Sequence, residues 1–229
     1  MTSTFLPPAE WAPHEAVWIG FPGNPEEWPA GQAEAQRNVA AFADAVHAGG
    51  KGERVELIAR SDADAETAQK LVGPGVNVSV IPFGDIWLRD TGPIVVSDGT
   101  SLRARGFGFN GWGGKYVMAG DEIVPETLSE RADLPFDAND WILEGGAIDG
   151  DGTGLAVTTA QCLLHPNRNA GVLQEDIERW LASDLGIDRL LWLGQGLMND
   201  HTDGHVDNLA RFVAPGVLAI PAPAGSSDP

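Results

Sequence analysis

The sequence predicts a mixed α/β fold in which short strands alternate with single helices. Eight apolar segments of five to eight residues are bounded by Gly, Pro or polar residues, which is typical of buried strands. Three longer segments carry helical patterns. Residues 32–49 repeat apolar residues at spacings of three and four, and residues 63–73 and 169–186 begin with acidic residues and end at a glycine. This alternation fits stacked βαβ modules or a doubly wound sheet, and the spacing alone leaves both open.

The predicted elements follow one another at fairly even intervals. The strands are 16–20, 55–60, 76–83, 92–98, 154–159, 189–194, 208–213 and 216–222. The helices are 32–49, 63–73 and 169–186, and each ends at a glycine, the residue that best accepts the left-handed conformation of a helix C-terminus. The segment DGDGTG (149–154) predicts a hairpin turn, because it lacks the later ligands and the closing Glu of a calcium loop.

The domain organisation follows from length and linkers. With 229 residues, of which 43% are hydrophobic, the chain can bury a sizeable core. It contains no low-complexity linker, so we expect a single domain over residues 1–229. The apolar segment 216–222 leads into a terminal loop where a module would normally continue. We therefore also expect the closing modules of the fold to be missing.

Composition excludes several classes of protein. Cys162 is the only cysteine, which excludes an internal disulfide framework and a Cys-rich zinc site. A formal net charge of −19 disfavours nucleic acid and favours cationic ligands, although a generally acidic surface explains the same charge. No apolar run reaches the length of a membrane span and the N-terminus lacks the regions of a signal peptide, so we expect a cytoplasmic protein without a membrane partner. The oligomeric state stays open, and a homo-oligomer is compatible with the sequence.

Two carboxylates stand at the ends of apolar segments. Asp90 follows Trp87 and Arg89 between two predicted strands, and a carboxylate at the end of a strand is commonly a functional residue. The alternative interpretation is a structural ion pair between Arg89 and Asp90, with Trp87 in the core. Glu144 precedes two glycines that let the backbone pass close to whatever the carboxylate faces.

Residues 107–116 place Trp112 among four glycines, too many for a regular helix or an interior strand. The segment therefore indicates a loop that presents an aromatic face. Such a face can stack on a planar cation, and it can equally serve as a packing lid.

The stretch HTDGHVD places His201, Asp203, His205 and Asp207 at every second position. In a strand all four side chains share one face and form a potential metal site, whereas in a helix 201 pairs with 205 and 203 with 207. His and Asp are ligands that suit zinc, manganese or iron, so a metallohydrolase is one hypothesis. No further ligand cluster accompanies them.

The other hypothesis makes His205 a general acid/base. Together with Asp90 and Glu144 it suits a planar cation such as a guanidinium, which carboxylates bind with two parallel hydrogen bonds. A guanidinium carbon is a poor electrophile, and it reacts most readily with a thiolate nucleophile. Cys162 lies beside two leucines, as a buried hydrophobic cysteine would, although His165 and Arg168 could activate it.

Six ordered segments resemble the motifs of the agmatine deiminases, in the guanidino-group-modifying (amidinotransferase-like) superfamily to which bacterial peptidylarginine deiminases are close. The resemblance runs from residue 7 to the end. The segments are PAEWAPHEAVWIGFP, WLRDTGP, FNGWGG, LEGGAI, TTAQCLLHPNRN and HTDGHVDNLARFVAPG.

This resemblance implies an incomplete α/β propeller of ββαβ-type modules around a pseudo-fivefold axis, without metal or organic cofactor. The implied partner is a small cationic guanidino substrate. The implied reaction, part of putrescine biosynthesis and polyamine metabolism, converts agmatine to N-carbamoylputrescine and ammonia through a covalent thiolate intermediate.

Carried over by motif, His205 is the acid/base, Asp90 and Asp207 hold guanidinium nitrogens, and Glu144 orients His205 or joins the same carboxylate cage. Three further residues are expected to bind substrate: Trp87, Trp112 and Asp203.

The nucleophile is the one departure from the family pattern. The family's nucleophilic cysteine lies in a Gly-rich segment near its C-terminus, whereas Cys162 matches a different motif. We therefore expect the 229 residues as given to be inactive. An arginine or peptidylarginine deiminase of the same superfamily and a non-catalytic guanidinium-binding module remain the alternatives.

Overall fold

The computed structural model describes residues 5–222, so the loop expected at the C-terminal end lies outside the described residues. Contacts divide the described chain into two compact units. The first unit consists of residues 13–92 and 118–128, and the second of residues 5–12, 93–117 and 129–222. The expectation of a single domain stays a prediction. Between residues 5 and 222, no helix combines the length and apolar character that a membrane span requires.

The first unit is a three-stranded parallel sheet with helical crossovers. Its elements are β1 (Val17–Gly20), α1 (Gln32–His47), β2 (Val55–Ala59), α2 (Asp62–Leu71), β3 (Asn77–Val80) and the one-turn helix α3 (Leu88–Thr91). The strand order is β1-β2-β3, and both pairs are parallel. Parallel neighbours need a crossover connection, which α1 and α2 provide.

Local sequence explains where these helices begin and end. After α1 the backbone turns left-handed at Ala48 (φ 48°) and Gly49 (φ 64°), so the predicted stop at Gly49 is confirmed. Helix α2 begins after Ser61, whose hydroxyl accepts a hydrogen bond from the Asp64 N–H at 3.2 Å. Apolar side chains from both helices and from the sheet form one core: Ile19, Phe21, Ala43, Val55, Leu57 and Ala68.

The second unit contains two sheets of the same construction. Its elements are β4 (Ile94–Ser97), β5 (Leu102–Gly108), the turn α4 (Gly111–Gly114), α5 (Val124–Arg131, shared with the first unit), β6 (Phe136–Ile142), β7 (Ile148–Gly150), β8 (Leu155–Thr159), α6 (Ala160–Leu163), α7 (Gln174–Leu185), β9 (Arg189–Leu193), β10 (Arg211–Ala214) and β11 (Val217–Ala219). Strand β5 pairs antiparallel with β4 and parallel with β6. Strand β8 pairs in the same way with β7 and β9, while β10 and β11 form a hairpin.

This repetition confirms the predicted mixed α/β class and the ββαβ-type module. In each of the two sheets a hairpin is followed by a helix and a strand that returns parallel to the hairpin's second strand. The hairpin predicted for residues 149–154 is confirmed as the β7–β8 turn. The propeller arrangement of the modules stays a prediction.

The apolar strand expected before Glu144 is the end of β6, whereas β5 and the first part of β6 were not predicted because they carry charged side chains. Arg103 and Arg105 of β5 both form ion pairs with Asp137 of β6, at 2.8 and 2.9 Å between nitrogen and oxygen. Cross-strand pairs of opposite charge stabilise a sheet, but they interrupt the apolar run by which strands are recognised. The helix predicted for residues 169–186 is present as α7 and buries Ile177, Leu181 and Leu185, four residues apart, in the core of this unit.

Candidate active site

Three buried side chains of the second unit converge where strands end. Glu144 follows β6, Cys162 lies in α6 directly after β8, and His205 precedes a 3₁₀ turn at Val206–Asn208. Glu144 and Cys162 are fully buried and His205 is 2% exposed. One carboxylate oxygen of Glu144, the Cys162 sulfur and one ring nitrogen of His205 all lie within 4.8 Å of one another. The structure thus brings the predicted Glu144 and His205 together.

A buried arginine joins this group. The Arg168 Nε donates to both carboxylate oxygens of Glu144, at 2.8 and 3.0 Å. Its Nη2 donates to the backbone carbonyl of Thr202 at 2.6 Å, three residues before His205. The side chains of Arg168 and Glu144 are both 0% exposed, so water does not compete with this ion pair.

The segment that carries His205 is a tight turn closed by Asp200. The Asp200 Oδ2 accepts hydrogen bonds from the backbone N–H groups of Gly204 and His205, each at 3.0 Å. The Thr202 hydroxyl donates to the same oxygen. A second attachment comes from Thr159 at the end of β8, whose hydroxyl donates to the Gly204 carbonyl and accepts from the Cys162 N–H.

The strand and the helix considered for residues 201–207 are therefore both wrong. Asp203 and Gly204 adopt positive φ angles of 60° and 94°, which interrupt either regular structure. The four alternating side chains do not share a face, because His201 is exposed while His205 is buried. Among residues 5–222, the only cluster of three potential metal ligands is Glu144, Cys162 and His205. The Arg168 cation already bonded to Glu144 opposes a divalent metal ion there.

Burial and charge set the protonation of the site. Burial lowers the pKa of His205, while the carboxylates of Glu144 and Asp207 act in the opposite direction. Burial would also lower the pKa of Arg168, but the facing Cys162 and Glu144 groups outweigh it and raise that pKa. The pKa of Asp200 is lowered, because the hydrogen bonds from its own turn outweigh its burial. The resting site thus combines a neutral imidazole with a fixed cation.

The loop of Trp112 is attached to the same turn. The Lys115 ammonium lies 2.6 Å from Asp203 Oδ1 and donates to the His201 carbonyl at 3.0 Å. Trp112 itself is only 4% exposed and packs edge-on against Phe109, with ring centroids 4.9 Å apart. Trp112 therefore packs against its own loop and does not present the aromatic face that the sequence predicted, and the substrate contacts predicted for Trp112 and Asp203 stay predictions.

Of the remaining predicted residues, Asp207 lies half-buried in the 3₁₀ turn directly after His205, whereas Asp90 and Trp87 belong to the first unit. Asp90 lies in α3 and is 9% exposed, whereas Trp87, just before that helix, is 57% exposed. The alternative that placed Trp87 in the core is therefore wrong. The guanidinium contacts predicted for Asp90 and Trp87 stay predictions.

Sequence reasoning missed Asp200 and did not connect Arg168 with Glu144. Asp200 carried a recognisable signal, because an Asp followed by Thr and Gly is typical of a side chain that closes a turn on its own backbone. Arg168 carried none, because its partners lie 24 and 34 residues away in the chain.

Comparisons with known proteins cover this whole region. Residues 6–229 match the family described as Porphyromonas-type peptidyl-arginine deiminase. Proteins named agmatine deiminase are 38% identical in Pseudomonas aeruginosa (strain UCBPP-PA14), over 98% of this chain and 62% of theirs, and 38% identical in Stutzerimonas stutzeri (strain A1501), over 97% and 61%.

Solved structures give the same picture. The agmatine deiminase of Enterococcus faecalis matches with a TM-score of 0.89 and 30% identity, over 98% of this chain and 62% of that one. A C315S agmatine deiminase of C. jejuni with substrate bound matches with a TM-score of 0.82 and 28% identity, over 95% and 64%. The chain thus spans about 62% of the length of the first of these relatives.

Proposed function

This chain belongs to the Porphyromonas-type peptidyl-arginine deiminase family, and we propose that it functions in agmatine deimination. The reaction hydrolyses the guanidinium of agmatine to the ureido group of N-carbamoylputrescine and releases ammonia. The observation that carries the proposal is the buried pair of Glu144 and His205, whose reactive atoms lie within 4.8 Å of one another. Relatives named agmatine deiminase at 38% identity support the choice of reaction.

The proposed chemistry uses His205 to move protons. A thiol gives its proton to the neutral imidazole of His205 and adds as a thiolate to the guanidinium carbon, and His205 then delivers that proton to the nitrogen that departs as ammonia. The imidazole, now neutral, takes a proton from water as the hydroxyl adds to the same carbon. The thiolate then leaves, and one water has been consumed for each ammonia released. The lowered pKa of His205 favours the neutral form that this second half requires.

The carboxylates hold the substrate in this proposal. Asp90 and Asp207 accept hydrogen bonds from the guanidinium N–H groups, while Glu144 orients His205. Carboxylates suit this task because they match the planar donor geometry of a guanidinium. Trp87, Trp112 and Asp203 are the further residues that we expect to contact the substrate.

We propose that Cys162, the only cysteine of the chain, is not the nucleophile. Its side chain faces Arg168 and lies in the segment TTAQCLLHPNRN, whereas the nucleophile of the resembled family lies in a Gly-rich segment near the C-terminus. The 229-residue chain is therefore expected to bind agmatine and to release little or no ammonia.

Agmatine is favoured over arginine because of the cations near His205. A carboxylate of arginine would need a partner, yet Arg168 is bonded to Glu144 and Lys115 to Asp203. An arginine or peptidylarginine deiminase is the second candidate, supported by the description of the family. A guanidinium-binding module without catalysis is the third. A cytoplasmic location and a place in putrescine and polyamine synthesis belong to the same proposal.

Calorimetry and ammonia release test the proposal together. Agmatine should bind the 229-residue chain, while arginine, which carries an additional carboxylate, and putrescine, which lacks the guanidinium, should bind at least ~10-fold more weakly. The Asp207→Asn variant should weaken agmatine binding, and Asp188→Asn, at an exposed aspartate of the same unit, serves as the control. Equal affinity for putrescine would refute guanidinium recognition. Rapid ammonia release that is lost in Cys162→Ser would show that Cys162 is the nucleophile after all.

A further inference from the structure

We propose that Arg168 is a positioning residue that locks Glu144 and the His205 turn into one arrangement. The inference rests on the proposed function, in which Glu144 orients His205. Arg168 itself is not assigned any contact with substrate.

The first step is geometric. The Arg168 guanidinium uses Nε for the Glu144 carboxylate, at 2.8 and 3.0 Å, and Nη2 for the Thr202 carbonyl, at 2.6 Å. Glu144 follows β6, and Thr202 belongs to the turn that Asp200 closes around the His205 N–H. One planar group therefore sets the distance between the segment of Glu144 and the segment of His205.

The second step concerns the kind of side chain required. A guanidinium has several donors fixed in one plane, so it can hold a carboxylate and a carbonyl at once. A lysine ammonium is a point charge on a flexible stem and would satisfy the charge of Glu144 without fixing the same geometry. Substitution can therefore separate the two contributions of Arg168, its positive charge and the fixed planar arrangement of its N–H donors.

The third step concerns charge. The groups that act on His205 are Glu144, Asp207, Asp200 and Arg168, and the Cys162 sulfur lies within 4.8 Å of one of its ring nitrogens. The Arg168 cation acts to lower the pKa of His205, whereas the Glu144 carboxylate bonded to it acts to raise that pKa. Without the cation, the positive charge that opposes protonation of the imidazole is gone. Loss of the Arg168 charge therefore raises the titration midpoint of His205.

The test uses Arg168→Gln, Arg168→Lys and a matched control, Arg179→Gln, which removes an exposed arginine that is also ion-paired, in helix α7. The ring C–H signals of His205 are titrated by NMR without ligand and assigned with His205→Gln. Arg168→Gln should raise the His205 midpoint by about 1 unit or more. Arg168→Lys should leave it within about 0.3 unit, because the charge is retained. Arg179→Gln should leave it unchanged.

Agmatine affinity supplies the second readout. Arg168→Lys should bind agmatine about 3- to 10-fold more weakly than the parent chain, because the planar N–H donors of the guanidinium are lost while the positive charge remains. An unshifted His205 midpoint in a folded Arg168→Gln, or parental agmatine affinity in Arg168→Lys, overturns the inference. If Arg168→Gln does not fold, the affinity of Arg168→Lys decides. If the parent binds no agmatine but the midpoint shifts as expected, the proposed function fails and the role of Arg168 stands.

Discussion

The ion pair between Glu144 and Arg168 offers the most direct measure of how strongly the site is held together. Both side chains are 0% exposed, and the Arg168 Nε donates to both carboxylate oxygens. In Glu144→Gln the Arg168 charge loses the carboxylate bonded to it, and in Arg168→Gln the Glu144 charge loses the guanidinium bonded to it. Removal of one partner from a buried pair costs about 3–5 kcal/mol of the free energy of unfolding.

The double variant, Glu144→Gln with Arg168→Gln, separates the interaction free energy of the ion pair from the cost of leaving one charge buried without its partner. When both charges are removed, neither glutamine leaves a buried ion behind, so the loss should be smaller than the sum of the two single losses. We expect a coupling free energy of about 2–3 kcal/mol between the two positions. The exposed pair Asp176–Arg179 serves as the reference and should show far weaker coupling, because water screens it.

The assay is urea unfolding at neutral pH, followed by tryptophan fluorescence, for the parent, the two single variants and the double variant. The midpoint and the slope of each transition give the free energies, and unchanged slopes are needed for the comparison. A coupling below about 0.5 kcal/mol would refute the view that burial makes this pair interdependent.

Three further expectations concern pH. Burial lowers the pKa of His205 below its ordinary 6.5, so the unfolded state binds more protons than the folded state. The stability that His205 contributes should therefore be complete above about pH 6.5 and fall as the pH drops towards the pKa of the folded state. Thermal unfolding measured across this pH range should lose the dependence in His205→Gln. The lowered pKa of Asp200 contributes stability above about pH 4 that is lost as the pH falls further, and Asp200→Asn should abolish this contribution in the same melts. In the first unit, burial raises the pKa of Glu27 to about 7, so the folded protein loses stability as the pH rises from about 4.5 to 7. Glu27→Gln should therefore have a higher melting temperature than the parent at pH 8 but not at pH 4. Equal changes in melting temperature at the two pH values would contradict the raised pKa of Glu27.

The parts of the fold that the sequence predicts are those governed by local periodicity. Helices α1, α2 and α7 and strands such as β2 and β8 carry an apolar face and end at glycine or at a turn. Strand β5 and the first part of β6 escape prediction because the charges of Arg103, Arg105 and Asp137 are balanced only across the sheet. Periodicity also fails at residues 201–207, where Asp200 and the positive φ of Gly204 decide the backbone.

The candidate site follows the same division. Glu144 and His205 are recognisable because a carboxylate before two glycines and an imidazole beside a tight turn are unusual locally. Their common partner is not recognisable in this way, since the chain has 14 Lys and Arg residues and only the folded structure brings Arg168, after α6, to Glu144, after β6. A residue can thus govern the geometry of a reaction without carrying any local mark of it. For this reason a substitution at Arg168 should disturb Glu144 and His205 together, although no short sequence pattern links the three.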